Sequence, residues 1–190
     1  FEGESSGILR PYEEWQYDDK YTHQIGQGVS VTALQMGFAY QTIANGGVRL
    51  DPILVDSCTG PAGEVLYEPN QKGYRVISEA NADLNLQLME KVVEFGGVGK
   101  TAAIEDYRVA GKTGTAQIRE GDGYGERYAI SFYGVAPVEN PRFVVGVTIY
   151  RPEGVSNSAK ATPPFKAIMQ QALKHYRVPP STTISRDDIP

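Results

Sequence analysis

Cysteine is nearly absent. Cys58 stands alone, so no internal disulfide can form and a disulfide-stapled scaffold is excluded. No run of 18 or more apolar residues occurs, so no stretch of this sequence is long enough to cross a bilayer as a helix. No secretory leader opens the chain, and position 1 is Phe rather than Met; it reads as a processed product or an excised piece. Histidine occurs only at His23 and His175, far apart and without ligand spacing, so both read as surface residues and no metal site is expected. Positive charge is outnumbered. Lys and Arg total 18 against 23 Asp and Glu, a net charge of −5, which argues against a general nucleic-acid surface. No cofactor is expected.

What remains is a chain of 190 residues, 41% hydrophobic and 22% charged, enough for one domain with a real core. Residues 1–28 are rich in Gly, Ser and Tyr without periodicity and read as irregular surface structure anchored by Tyr12, Trp15 and Tyr17. A helix follows Gly26-Gln27-Gly28. Thr32 and Gln35 have capping-box spacing at its start. Leu34, Met36, Phe38, Ala39, Ile43 and Ala44 fall on nearly every side, which predicts a buried helix, and Asn45-Gly46-Gly47 ends it. Residues 48–68 read as a hairpin, with arms Leu50–Val55 and Glu64–Tyr67 about a Gly60-Pro61-Ala62-Gly63 turn. Ser78 caps a second helix whose apolar row is Leu84, Leu88, Val92 and Phe95, stopped by Gly96-Gly97. Gly96 to Thr101 looks like a phosphate loop. However, Glu94 occupies the position where the standard loop needs its first glycine, and a helix rather than a strand precedes it. Gly111-Lys112-Thr113 fails the same test at Asp106.

From Tyr107 the pattern turns to β: strands over 107–118, 128–136 and 142–150, joined by a polar Gly-rich loop at 119–127 and a Pro turn at 137–141. Short links predict antiparallel neighbours. Both faces of the third strand are apolar at its centre, which predicts an α+β fold whose antiparallel sheet is flanked by helices on both faces. Pro163-Pro164 opens a third helix, with Phe165, Ile168, Met169, Ala172, Leu173 and Tyr176 on one face. Residues 1–178 then form the domain part, and 179–190 a loose tail. Within the first of these strands, Gly111 and Gly114 bracket a cation, Lys112, and a hydroxyl, Thr113; Thr115 adds a second hydroxyl. Strand glycines mark a bulge or a close backbone approach. Two readings stay open on these residues alone: an edge that receives an extended peptide-like ligand ending in a carboxylate, or a close-packed strand with a solvated lysine.

Lys112-Thr113-Gly114, set in Ala110-Gly111-Lys112-Thr113-Gly114-Thr115-Ala116, resembles the third motif of the serine penicillin-recognising enzymes. Further phrases widen the likeness: Gly3-Glu4-Ser5-Ser6-Gly7, Gly26-Gln27-Gly28 with Thr32 to Met36 and Ile43 to Gly47, and Phe132 to Pro137 with Asn140-Pro141. Together they cover most of residues 1–176 and resemble class B penicillin-binding proteins, most like the division-type D,D-transpeptidases. The resemblance implies a serine acyl-enzyme reaction on the D-Ala-D-Ala end of a peptidoglycan stem peptide, inhibited by β-lactam antibiotics. It implies division-machinery membrane proteins as partners and the outer face of the bacterial cytoplasmic membrane as the location. Carried over by motif, Lys112 supplies positive field, Thr113 and Thr115 hold the ligand carboxylate, the Thr115 N–H is an oxyanion donor, and Gly114 lets the substrate backbone approach. Lys112 and Thr115 are the candidate catalytic residues, and Lys112, Thr113, Gly114 and Thr115 the candidate substrate-binding set. The loop at 119–127, with Tyr124 and Tyr128, is a candidate border of the groove.

The departure from that pattern is large. No lysine has a serine three positions before it, and no Ser-x-Asn triplet exists. The nucleophile with its activating lysine, the second motif and two sheet strands would lie upstream, so the sequence reads as the C-terminal half of a transpeptidase domain, inactive by itself. The alternatives are a β-lactamase or β-lactam sensor with the same motifs, or a non-catalytic assembly module on the same fold.

Overall fold

The computed structural model describes residues 3–94, 97–120, 123–154 and 157–181. The N-terminal segment carries one short helix, α1 (Asp19–Thr22), and is organised by Trp15 rather than by its tyrosines. The Trp15 indole donates to the Arg10 carbonyl at 2.9 Å, its ring meets His23 at 4.5 Å between centroids, and Arg10 pairs with Asp19 at 2.8 Å. Tyr12 and Tyr17 are 74% and 77% exposed, so they do not anchor the segment as the sequence predicts. The anchor lies earlier. Ile8 and Ser30 exchange backbone hydrogen bonds, and Gln35 donates to the Ser6 carbonyl at 3.1 Å.

Helix α2 (Ala33–Ala44) opens on the expected capping box. Thr32 Oγ1 accepts from the Gln35 N–H at 3.0 Å, while Gln35 Oε1 accepts from the Thr32 N–H at 2.9 Å. The Thr32 hydroxyl also donates to the Glu4 carboxylate, and that bond holds the Glu4 carboxyl below its usual range. Only Thr42 of this helix is buried, so it is not the fully buried helix its composition predicts. One row packs on the sheet and on the helix over Glu79–Val93. The other, with Leu34 and Phe38, lines an open groove because no described element covers it.

The predicted hairpin over 48–68 is corrected in its pairing. Strand β1 (Val48–Leu50) pairs instead with the later β4 (Gly73–Arg75), and a smaller ladder of β2 (Cys58–Thr59) with β3 (Val65–Tyr67) sits between them. The turn itself is where the sequence puts it: Gly60 donates to the Glu64 carbonyl at 2.8 Å. The β1–β4 ladder runs one step further, with the Asp51 N–H donating to the Lys72 carbonyl at 2.9 Å, and ends at Pro52, which has no N–H to give.

Ser78 caps α3 (Glu79–Val93) through its hydroxyl, as expected. The buried row is wrong in the prediction. Ala82, Leu86 and Val93 are inside, whereas Leu84 and Leu88 are 51% and 61% exposed. Phe95 and Gly96 lie outside the described residues. Two apolar rows compete on this helix, and the fork between Glu90 and Arg108 fixes which one turns inward. Arg108 Nε and Nη2 each reach a Glu90 oxygen at 2.7 Å. The phosphate-loop look-alike is spent on packing, since the Thr101 hydroxyl bonds the buried Thr162 hydroxyl.

The main sheet has strands β5 (Ala110–Glu120), β6 (Gly123–Ala136) and β7 (Phe143–Tyr150), antiparallel in the order β5-β6-β7. The strands therefore run into the stretch expected as the loop 119–127; residues 121–122 lie outside the description. Helix α4 (Thr162–His175) starts with prolines in its first turn and buries Phe165, Met169 and Leu173. Phe165 meets Phe132 edge-on at 4.6 Å, so α4 covers the Phe132 face. Helices α2 and α3 lie on the other, where Tyr40 meets Tyr133 at 5.5 Å and Leu86 packs with Ala110 and Val135. The tail predicted from 179 is held as far as Ser181. The Arg108 N–H donates to Ser181 Oγ at 2.9 Å, and the Ser181 N–H to the Asp106 carbonyl at 2.8 Å. Residues 182–190 lie outside the description.

Candidate active site

Strand β5 is an edge. It pairs with β6 on one side and with no strand among the described residues on the other. An open edge exposes a row of unpaired backbone donors and acceptors, the feature an extended peptide needs in order to dock as an added strand. Lys112 and Thr115 on this edge are exposed, and Thr113 and Gly114 are half-buried. The four candidate residues are therefore consecutive on one accessible edge, and not beneath a helix.

Register separates their side chains. Residues directly opposite in a ladder share a face. Lys112 is opposite Tyr133 and Gly114 opposite Ser131, on the α2 side; Thr113 is opposite Phe132 and Thr115 opposite Ile130, on the α4 side. Lysine and hydroxyls thus flank the edge from its two sides. The Lys112 ammonium donates to the neighbouring Thr113 carbonyl at 2.9 Å.

The two glycines of the motif have concrete causes. A Cβ on Gly111 would sit 2.4 Å from Phe132 Cζ and 2.8 Å from the Tyr133 carbonyl oxygen. A Cβ on Gly114 would sit 2.5 Å from Ser131 Oγ. Ser131 is a residue that the motif search passes over. Its only signal in the sequence is its place opposite Gly114, which needs the hairpin register to be known.

A second concavity, about 480 Å³, runs between α2 and β7 and is lined by Leu34, Gly37, Phe38, Tyr133, Phe143 and Gly146 among others. It lies on the same face as Lys112 but two strands away. Above it Tyr133 reaches Thr148 at 3.1 Å and the Ala33 carbonyl at 3.4 Å. Burial, with a smaller contribution from Tyr133, pushes the Tyr40 phenol up to about 12. Among the described residues, no group of His, Cys, Asp and Glu could hold a metal ion, and no helix is long and apolar enough to cross a membrane. Tyr128 lies on β6 opposite Gln117.

The family profile described as penicillin binding protein transpeptidase domain matches residues 1–170. Penicillin-binding protein PbpB of Mycolicibacterium smegmatis is 39% identical over 189 residues, covering 93% of this chain and 29% of that protein. Peptidoglycan D,D-transpeptidase FtsI of Escherichia coli is 33% identical over 188 residues, covering 97% of this chain and 30% of that protein. The crystal structure of penicillin binding protein 3 from Mycobacterium tuberculosis complexed with aztreonam superimposes with a TM-score of 0.86 at 37% identity, covering 95% of this chain and 43% of that one. The chain thus spans under a third of the length of these two relatives and under half of that crystallised chain.

Proposed function

The chain belongs to the penicillin-binding protein transpeptidase domain family, and we propose that it forms the C-terminal half of a peptidoglycan D,D-transpeptidase domain. The observation that carries this reading is the open β5 edge, with Lys112 and Thr115 exposed and Thr113 and Gly114 half-buried along it. A stem peptide ending in D-Ala-D-Ala lies along that edge as an extra strand. Its terminal carboxylate meets the Thr113 and Thr115 hydroxyls, while the Lys112 ammonium supplies positive charge from the opposite face. A serine from the preceding polypeptide attacks the penultimate D-Ala carbonyl carbon, D-Ala leaves with a proton on its new amine, and the acyl-enzyme passes to the amine of a neighbouring stem. The Thr115 N–H stabilises the oxyanion; one such donor contributes on the order of 3 kcal/mol. A β-lactam opens on the same serine and remains as a stable acyl group.

The preceding polypeptide also completes the fold. Two strands continue the sheet from the free edge of β7, and apolar residues fill the groove beside Leu34 and Phe38. This accounts for a helix that is apolar all round yet half open. A membrane anchor in the preceding polypeptide would hold the domain on the outer face of the cytoplasmic membrane beside division proteins.

The test is covalent labelling with a fluorescent penicillin. The full-length protein should be labelled stably and the 190-residue chain should not. Labelling of the chain alone would show that the nucleophile is within it, and rapid antibiotic hydrolysis by the full-length protein would make it a β-lactamase instead.

A further inference from the structure

Beyond α4 the chain forms a strap that ends at the root of the motif strand. Arg177 takes a left-handed conformation, with φ at 51°, and the Val178 N–H turns back to the Leu173 carbonyl at 3.0 Å. Pro179 and Pro180 have no N–H to give. Ser181 is therefore the next backbone donor. Its N–H goes to the Asp106 carbonyl at 2.8 Å, and its Oγ accepts from the Arg108 N–H at 2.9 Å. The Tyr107 hydroxyl closes the strap by donating to the Val178 carbonyl at 2.7 Å. Val178 and Ser181 are both buried, so water competes poorly for these bonds. Asp106 is itself left-handed, with φ at 65°, a conformation that a residue other than glycine keeps where its surroundings fix it.

Arg108 is the junction. Its N–H goes to the strap, its carbonyl accepts from the Val138 N–H at 3.1 Å just beyond β6, and its guanidinium grips Glu90 of α3. Lys112 lies four residues on, through Val109, Ala110 and Gly111, all buried. A close-packed interior transmits a shift rather than absorbing it. The outer side of Lys112 to Thr115 has no strand beside it among the described residues. That edge therefore takes its position from β6 and from the junction at its root.

Resting on the reading of the β5 edge given above, we infer that Ser181 is a positioning residue for Lys112 to Thr115. An alanine would fill nearly the same space. What the serine adds is an acceptor for the Arg108 N–H, and through it the setting of the edge along which the ligand lies. Ser181 touches neither the ligand nor the reacting atoms; it acts through Arg108.

The experiment measures second-order acylation by a fluorescent penicillin in the full-length protein, for wild type, Ser181→Ala and Ser78→Ala, with thermal melting of each. The backbone amide shifts of Lys112 to Thr115 are followed by NMR in the 190-residue chain. Ser181→Ala should acylate about fivefold more slowly, the worth of one neutral hydrogen bond, and should move those amides. Ser78→Ala removes the α3 cap and should lose a similar melting temperature, about 2–4 °C, with neither effect. Unmoved amides or a wild-type rate in Ser181→Ala overturns the inference, and so does equal slowing in Ser78→Ala. If Ser181→Ala does not fold, Tyr107→Phe releases the strap at Val178 and is judged by the same criteria. If wild type itself is not acylated, the transpeptidase reading has failed, and the amides alone decide: shifted ones in Ser181→Ala support the strap's role and unmoved ones refute it.

Discussion

Arg108 grips Glu90 with two parallel hydrogen bonds, each 2.7 Å long, joining the run into β5 to the last turns of α3. The Glu90 side chain is 13% exposed, so water competes poorly for it. The bonds to Glu90 raise the Arg108 guanidinium above its ordinary value. Replacing Glu90 with Gln keeps the shape and removes the charge-assisted fork. The expected cost is about 2 kcal/mol, typical of hydrogen bonds to a charged partner. Urea unfolding of the 190-residue chain measures it; a midpoint identical to wild type would mean that the fork contributes nothing to stability.

Gly111→Ala should be costlier than its one added methyl suggests. The new Cβ meets the Phe132 ring and the Tyr133 carbonyl oxygen, and Phe132 is already locked against Phe165 in the core. Backbone cannot swing aside as a flexible side chain can. Overpacking of this kind costs about 1–3 kcal/mol, again readable in urea. If Gly111→Ala is neutral, the close approach is not what selects glycine there.

Tyr40 makes the fold sensitive to alkali. Its folded phenol is raised to about 12 from an ordinary 10, chiefly by burial. The folded state therefore keeps a proton that the unfolded chain gives up. The contribution is present in full below pH 10 and is lost as pH climbs from 10 to about 12. Tyr40→Phe should flatten this part of the stability profile. Phenolate absorbance should show one tyrosine ionising after the exposed ones; an unaltered profile in Tyr40→Phe would remove Tyr40 as the cause.

Local chemistry was the legible part of this sequence. Thr32 with Gln35, Ser78 and Pro163-Pro164 announce helix starts because capping needs only neighbours in sequence, and all three open helices. What depends on partners was harder. The row Leu84-Leu88 is as apolar as Ala82-Leu86, and the choice between them is made by Arg108, 18 residues beyond Glu90. Strand register is the clearest case. A symmetric loop over 119–127 would put Phe132 opposite Gly114, but the strands run on to a Glu120–Gly123 pair, with an irregularity between Gln117 and Arg119, and the resulting register puts Ser131 there instead. One residue of slip moves every side chain to the other face. Hence the motif residues were readable by type, while the side of the sheet on which each one lies was not.

The most direct test of the Lys112 to Thr115 edge as the ligand wall is the acylation rate of the full-length Lys112→Ala protein, measured beside its thermal melting. Lys112 is exposed and, among the described residues, its ammonium bonds only a neighbouring carbonyl, so the fold should be unaffected. Loss of a preorganised charge at the site should slow acylation by roughly 100-fold or more. A Lys112→Ala protein that melts like wild type and is acylated at the wild-type rate would contradict the account.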